Sequence, residues 1–339
     1  MDKKEWQKIY KEKCKNFKEY PSVLPAVDRI IVIGDLHGDW DMCIKSLRVA
    51  KVINNNNKWI GGDTVVVQVG DQIDRCRFSG ISCHLEQATK NDEPHDLKIL
   101  NFFTNLHQEA QVEGGAVYSI IGNHELMNVN KDMRYVSFKN VKDFENYKKP
   151  NGEIISDGME ARKWAFSPGN PIADFLGCTR QLSLIIGSNL FVHAGVIPKI
   201  AEKYGVEDMN QIMSLFLWDK LNNKMDYQDL LDSSDYSPLW NRVFGNKNHS
   251  NETCNNLLNP LKEIYKVDRM FIGHTPQVKT GITNSCNGRL WLTDYGASKA
   301  FNEFDTYYIE NNVRSKVREA QVLEILNDGV EINVLKSKE

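Results

Sequence analysis

Short apolar runs recur along the chain, and each stops abruptly at a glycine or a polar residue. Residues 29–39 read RIIVIGDLHGD, 65–74 read VVVQVGDQID and 116–125 read AVYSIIGNHE. SLIIGSNLFVHAGV (183–196), RMFIGHT (269–275) and RLWLTDYG (289–296) follow the same plan. Continuous apolar runs of this length, bounded by turn residues, predict strands buried on both faces in a layered α/β domain. Helices are expected near 40–50 and 95–112. VLEILNDGVEINVL (322–335) alternates on either side of Asn327-Asp328-Gly329, which predicts a hairpin. Near the N-terminus Trp6, Ile9, Tyr10 and Phe17 fall at helical spacing among lysines, so an amphipathic helix is expected over 3–19, ahead of Pro21 and Pro25. Docking on the parent domain is its expected use; a membrane surface is the alternative. The NNNN loop near 54 and the segment 132–170 read as surface insertions. With no internal repeat and no linker, the expectation is a single domain over 28–339 behind an N-terminal helical extension over 1–27.

Composition narrows the function classes. The 339 residues are 41% hydrophobic and 26% charged, as in soluble globular proteins, with a formal net charge of −3. That balance supplies no basic field for nucleic acid. No apolar run approaches a membrane span, and the first twenty residues lack the apolar core of a secretory signal, so a cytoplasmic or nuclear location is expected, without secretion or integral membrane contact. Seven cysteines, at 14, 43, 76, 83, 178, 254 and 286, are odd in number and form no CxxC pair, so reduced thiols are expected. Cys83-His84 near Cys76 lacks the further ligands of a soft metal site.

The residues that follow the strands are chemically selective. They are Asp35 and His37; Asp71, Asp74 and Arg75; Asn123, His124 and Glu125; then His193, His274 and Asp294. In α/β folds ligand sites form at the carboxyl ends of strands, so these distant positions can converge. Carboxylate, imidazole and amide oxygen together suit divalent first-row metals such as manganese, iron or zinc. His84, His95, His107 and His249 fall outside these motifs and read as surface or packing residues.

The ordered set GDLHG (34–38), GDQIDR (70–75), GNHE (122–125), VHAG (192–195) and GHT (273–275) resembles the calcineurin-like metallophosphoesterases, specifically the phosphoprotein phosphatases. RKWAFSPGNPIADFL (162–176), VHAGV (192–196), SPLWNR (237–242) and GHTP (273–276) resemble the bacterial-type branch of Shewanella-like phosphatases. The likeness spans roughly Ile30 to Gly296. It implies a four-layer αββα fold, α/β or α+β by classification, with a central β-sandwich of mixed sheets flanked by helices.

The resemblance also implies roles. Asp35 and His37 would hold one divalent metal, Asn123, His193 and His274 the other, and Asp71 would bridge both. Two cations so bridged lower the pKa of a shared hydroxide, the expected in-line nucleophile. His124 would protonate the leaving oxygen with Asp74 holding its imidazole, while Arg75 and Arg242 would bind phosphoryl oxygens through the planar guanidinium fork. Glu125 is expected to order the loop or one of the arginines, with Asp294 and Tyr295 in support. The chain departs from the family at Cys76, where glycine is usual. Cysteine takes a positive φ only at a cost, so the loop either follows another path or absorbs strain.

The function implied is a dimetal phosphoprotein phosphatase acting on phosphate monoesters of serine, threonine or tyrosine in a protein or peptide. Hydrolysis of a dinucleotide such as diadenosine tetraphosphate is the enzymatic alternative, because both chemistries use the same core and differ in the rim that 76–114 and 126–180 would build. A catalytically silent phosphate-binding scaffold is the alternative of another class. Regulatory subunits leave no signature in the sequence.

Overall fold

The structure is a computed structural model and describes residues 3–77 and 80–337. Every apolar run noted above contains a strand, and helices fill most of the longer stretches between them. In chain order the first elements are α1 (Lys3–Lys13), β1 (Val23–Leu24), β2 (Arg29–Ile33), α2 (Trp40–Val49), β3 (Val65–Gln68), α3 (Asp96–Val112), β4 (Ala116–Ser119) and α4 (Asn123–Val129). The middle of the chain forms α5 (Phe138–Lys142), β5 (Tyr147–Lys148), β6 (Ile154–Ile155), α6 (Gly158–Phe166), α7 (Pro171–Thr179), β7 (Ser183–Ile186), β8 (Asn189–Val192), α8 (Pro198–Lys203), α9 (Val206–Leu217) and α10 (Gln228–Leu231). The last part comprises α11 (Asn251–Tyr265), β9 (Arg269–Ile272), β10 (Thr283–Ser285), β11 (Leu290–Leu292), α12 (Thr306–Asn311), β12 (Gln321–Leu326) and β13 (Glu331–Lys336).

Two mixed sheets carry the fold. One has the order β13-β12-β2-β3-β4, the other β1-β7-β8-β9-β11-β10. In the first, β2, β3 and β4 run parallel; in the second, β8, β9 and β11 do. The expected hairpin is present, with Leu326 opposite Glu331.

Side-chain alternation along the strands separates the layers. On the six-stranded sheet Leu184, Ile186, Phe191, Phe271 and Trp291 join the core built on the five-stranded sheet and on α2 and α3. Their neighbours Ile185, Leu190, Val192, Met270, Ile272, Leu290 and Leu292 belong to a second core with α6, α7, α9 and α11. The arrangement is helix, sheet, sheet, helix, as the αββα expectation has it. Both strand faces are buried, which is why the runs are continuously apolar rather than alternating.

Three expectations change here. The N-terminal helix ends at Lys13 rather than at residue 19, and it does dock on the domain. Trp6 and Tyr10 pack against Trp218 with ring centroids 6.2 and 5.9 Å away, Trp6 Nε1 donates to Ser214 Oγ at 2.9 Å, and Lys13 pairs with Asp174 at 2.8 Å. An isolated helix of this length is marginal in water, so these contacts hold it. The segment 132–170 is not a surface insertion throughout, since α6 buries Ala161, Arg162, Ala165 and Phe166. Reduced thiols are also overturned: Cys14–Cys178, Cys76–Cys83 and Cys254–Cys286 are disulfides, and Cys43 alone is free, on the buried face of α2. The odd count thus reflects three pairs and one core thiol, with Cys14 and Cys178 brought together by the docking of α1.

Candidate metal centre

The two parallel strand triplets end facing one another. Asp35 and His37 follow β2, Asp71 and Asp74 follow β3, and Asn123 and His124 open α4 just after β4. His193 follows β8, His274 follows β9 and Asp294 follows β11. Asp35, His37, Asp71, Asn123, His193 and His274 are thereby gathered into one buried cluster. Among the described residues, the triads of acid and imidazole groups able to hold a cation are His37, Asp71 and His124, and Asp71, His193 and His274.

Asp71 is the hub. Its Oδ2 lies 3.4 Å from Nε2 of His193, 3.7 Å from Nε2 of His37 and 3.9 Å from Nε2 of His124. Asn123 Oδ1 sits 2.9 Å from both His193 Nε2 and His274 Nδ1. Three of the imidazoles turn their outer nitrogen to a backbone carbonyl: His37 Nδ1 to Ile73 at 3.2 Å, His193 Nδ1 to Val69 at 2.8 Å and His274 Nε2 to Trp240 at 3.1 Å. An outer N–H that donates there leaves the inner nitrogen's lone pair for the cluster, the arrangement expected of metal-ligating histidines. His124 differs, because its Nδ1 faces a carboxylate, Asp74 Oδ2, at 2.8 Å.

The backbone is held in costly conformations to achieve this. His37, Asp71, Asp74 and His274 all have positive φ, at 43°, 53°, 71° and 67°. Such residues cost about 1–3 kcal/mol each unless the surroundings hold them. Here the N–H groups of Leu36 and His37 donate to the Asp71 carbonyl at 3.0 and 2.9 Å. Glu125 ties the loops together, its carboxylate accepting from the N–H groups of Asp71, Gln72, Ile73 and Gly122 at 3.0, 2.8, 3.3 and 2.7 Å. Gly70, at φ 100°, lies where a Cβ would be 2.7 Å from His193 Nδ1, so only glycine fits.

Electrostatics fit a cation site. Burial, with the charges of Asp294 and Asp71, drives the Asp35 carboxyl well above the usual carboxylate range. Asp294 is pushed up to about 6 by burial and Asp71. Asp71 itself is held well below that range despite its burial, chiefly by His193. Burial keeps His37 and His274 well below the ordinary imidazole value, so they offer lone pairs. Asp35 Oδ1 and Asp294 Oδ2 are buried without a hydrogen-bond partner. A converging set of acceptors with two orphaned carboxylate oxygens is the donor chemistry of divalent cations.

The imidazole of His124 is braced from behind. Asp74 Oδ1 accepts from Asn128 Nδ2 at 2.9 Å, and Asn128 Oδ1 accepts from Arg162 Nε at 2.8 Å. Arg162 Nη2 donates to Asp96 Oδ2 at 2.8 Å. Asn128 was not singled out in the sequence, although its place four residues after His124 puts both on one helix face; Asp96 carried no signal. Arg162 stood in the RKWAFSPGN motif without a role.

The arginines separate. Arg242 is exposed and reaches the His274 carbonyl and Thr275 Oγ1, both at 3.3 Å, at the edge of the cluster. Arg75 departs from expectation. It is fully buried and turned to Asp39 Oδ2 at 3.2 Å, with Ser298 Oγ at 3.1 Å and the Asn91 carbonyl at 3.3 Å. Asp39 draws it there because this carboxylate caps α2 and is otherwise buried among Lys299 and Arg314. Cys76 does not take a positive φ, so its loop follows another path, bonded to Cys83. Tyr295 lies in the core, its hydroxyl accepting from Gln321 N at 2.9 Å. Of the other histidines, His107 is a packing residue, His84 faces the Met133 carbonyl, His95 flanks α3 and His249 faces the Val243 carbonyl.

This fold and this cluster define a metallophosphoesterase. Residues 28–278 match the family model of the calcineurin-like phosphoesterases, and the chain belongs to that family. It is 35% identical over 251 residues to the uncharacterized protein R398 of Acanthamoeba polyphaga mimivirus, covering 67% of this chain and 95% of that one. It is 30% identical to the Shewanella-like protein phosphatase 2 of Arabidopsis thaliana, over 80% of this chain and 72% of that protein. A solved cold-active protein tyrosine phosphatase shares the fold, with a TM-score of 0.66 at 17% identity, over 94% of this chain and 83% of that one. The family implies divalent metal ions and a phosphatase, hence a hydrolase with phosphorylated substrates. No helix among the described residues is long and apolar enough to cross a membrane.

Proposed function

We propose that this protein is a dimetal phosphoprotein phosphatase that hydrolyses phosphate monoesters. The observation that carries this reading is the meeting of Asp71, His37, His193, His274 and Asn123 around one centre, beside an imidazole backed by Asp74. Asp35, His37 and Asp71 would hold one cation; Asp71, Asn123, His193 and His274 would hold the other. Bound there, two divalent cations would activate water and neutralise phosphoryl charge. Manganese is the metal expected to support activity in vitro, with iron or zinc as alternatives of similar donor preference.

The protein's own groups do the rest. His124 donates a proton to the leaving oxygen, and the Asp74 carboxylate fixes its ring and its tautomer. Arg242 meets the phosphoryl oxygens from the His274 side. Arg75 keeps a structural role, holding Asp39 at the start of α2. The named relatives that are protein phosphatases support a protein or peptide substrate. The three disulfides favour a setting in which thiols oxidise over the reducing cytoplasm expected at first.

The test is manganese-dependent hydrolysis of p-nitrophenyl phosphate by metal-stripped protein after manganese is restored. Asp71→Asn is expected to lower turnover by at least about 100-fold and to lose both metals by elemental analysis. Equal, metal-independent rates in wild type and variant would sink the reading. A clear preference for diadenosine tetraphosphate over a phosphopeptide panel would overturn the substrate.

A further inference from the structure

With Arg75 committed to Asp39, the β3 side of the centre needs another cation for the phosphoryl oxygens, and one stands two residues on. Arg77 is half-buried. Its Nη1 donates to the carbonyls of Asp74 at 3.1 Å and Cys76 at 2.8 Å. Its guanidinium lies 4.6 Å from the Phe301 ring centroid and 5.5 Å from that of Tyr135. Those rings in turn touch the site imidazoles: Phe301 packs 5.4 Å from His37, and Tyr135 packs 5.0 Å from His124. Arg77 is therefore sandwiched between the walls of the two histidines that flank Asp71.

Its charge is uncompensated by any close contact. Among the described residues no carboxylate lies within ion-pair distance of Arg77, although it feels Asp71, Asp74 and Asp294 across the cluster. The same charge helps to keep His37 neutral. A guanidinium has five N–H donors, and the two carbonyl bonds occupy Nη1, leaving Nε and Nη2 for an incoming anion. The loop that carries it is stapled by Cys76–Cys83, and Cys76 N donates to the Tyr135 carbonyl at 3.1 Å. Arg75 cannot readily take this place. Withdrawing it from a fully buried ion pair costs about 3–5 kcal/mol. Only its Nε lacks a partner, and that atom is buried with the rest of the side chain.

We propose that Arg77, held by its aromatic sandwich and the Cys76–Cys83 staple, is the arginine that binds the phosphoryl oxygens opposite Arg242, in place of Arg75. This rests on the phosphatase reading and specifies how its site grips the substrate. It also gives the residue at position 76 a purpose: a cysteine there anchors a loop that delivers the arginine two positions later than a glycine-containing turn would.

The experiment compares full-length, manganese-loaded wild type with Arg77→Ala, Arg77→Lys and Arg75→Lys. Arg77→Ala is expected to lower kcat/KM for p-nitrophenyl phosphate on the order of 100-fold and to raise the inhibition constant of inorganic phosphate about tenfold, with metal content and melting temperature near wild type. Arg77→Lys should recover part of both losses. Arg75→Lys should melt earlier, while its kcat/KM stays within about threefold of wild type. Arg77→Ala values within about threefold of wild type on both measures would overturn the proposal. If wild type itself shows no manganese-dependent turnover, the phosphatase reading falls. Calorimetric titration of inorganic phosphate into manganese-loaded wild type and Arg77→Ala still decides the inference, with equal affinity counting against it.

Discussion

Nδ1 of His124 lies 2.8 Å from Oδ2 of Asp74, and the other oxygen of that carboxylate accepts a hydrogen bond from Asn128, one helical turn beyond His124. A charged acceptor behind an imidazole fixes both its orientation and its tautomer. The same helix thus carries His124 and the residue that steadies its carboxylate partner. Arg162 then closes the chain of bonds to Asp96, whose carboxyl burial pushes up to about 6 despite the guanidinium beside it.

His124→Asn is therefore expected to keep both metals and to slow turnover by roughly 10²–10⁴-fold. The loss should be largest for esters with poor leaving groups, because these depend most on proton donation. Rates on p-nitrophenyl phosphate and phenyl phosphate, measured beside elemental analysis, check it. Loss of metal from this variant would make His124 a ligand instead.

His107 supplies a dependence of stability on pH that is independent of the centre. It is 2% exposed, faces the Val117 backbone through Nδ1 and stacks 4.4 Å from the Tyr20 ring. Burial pushes its pKa down to about 4. The folded protein keeps the ring neutral while the unfolded chain takes a proton below about 6.5, so stability is present above 6.5 and falls as pH drops from there toward 4. The full effect is on the order of 3 kcal/mol, at ~1.4 kcal/mol per pKa unit. Urea unfolding at pH 7 and pH 5 should show a steeper loss in wild type than in His107→Gln; parallel losses would count against this assignment.

The cysteines make a chemical prediction. Unfolded without reductant, the protein should be alkylated at Cys43 alone, and a non-reducing digest should show Cys14 with Cys178, Cys76 with Cys83 and Cys254 with Cys286. Replacing Cys14 and Cys178 together by alanine should cost about 2–5 kcal/mol, since that bond closes a loop across half of the chain. Four or more alkylated cysteines in the unreduced chain would show the pairs to be open.

What could be read directly from the sequence was whatever neighbouring residues encode among themselves. The continuous apolar runs had to be strands buried on both faces, and Asn327-Asp328-Gly329 had to turn a hairpin. The Asp, His and Asn side chains at the strand ends announced a metal centre, because a strand end followed by a tight turn fixes which side chains emerge there. Tertiary structure alone decided the long-range pairings. The GDQIDR motif points to Arg75 and passes over Arg77, and only the position of buried Asp39 shows that the Arg75 guanidinium is already taken. Cys14 and Cys178 are 164 residues apart and become partners through the docking of Trp6 and Tyr10 on Trp218. Asp96 entered the brace behind His124 only when α6 carried Arg162 into the interior. Local spacing determines which side of an element a residue occupies, whereas its partner depends on which faces the whole fold brings together.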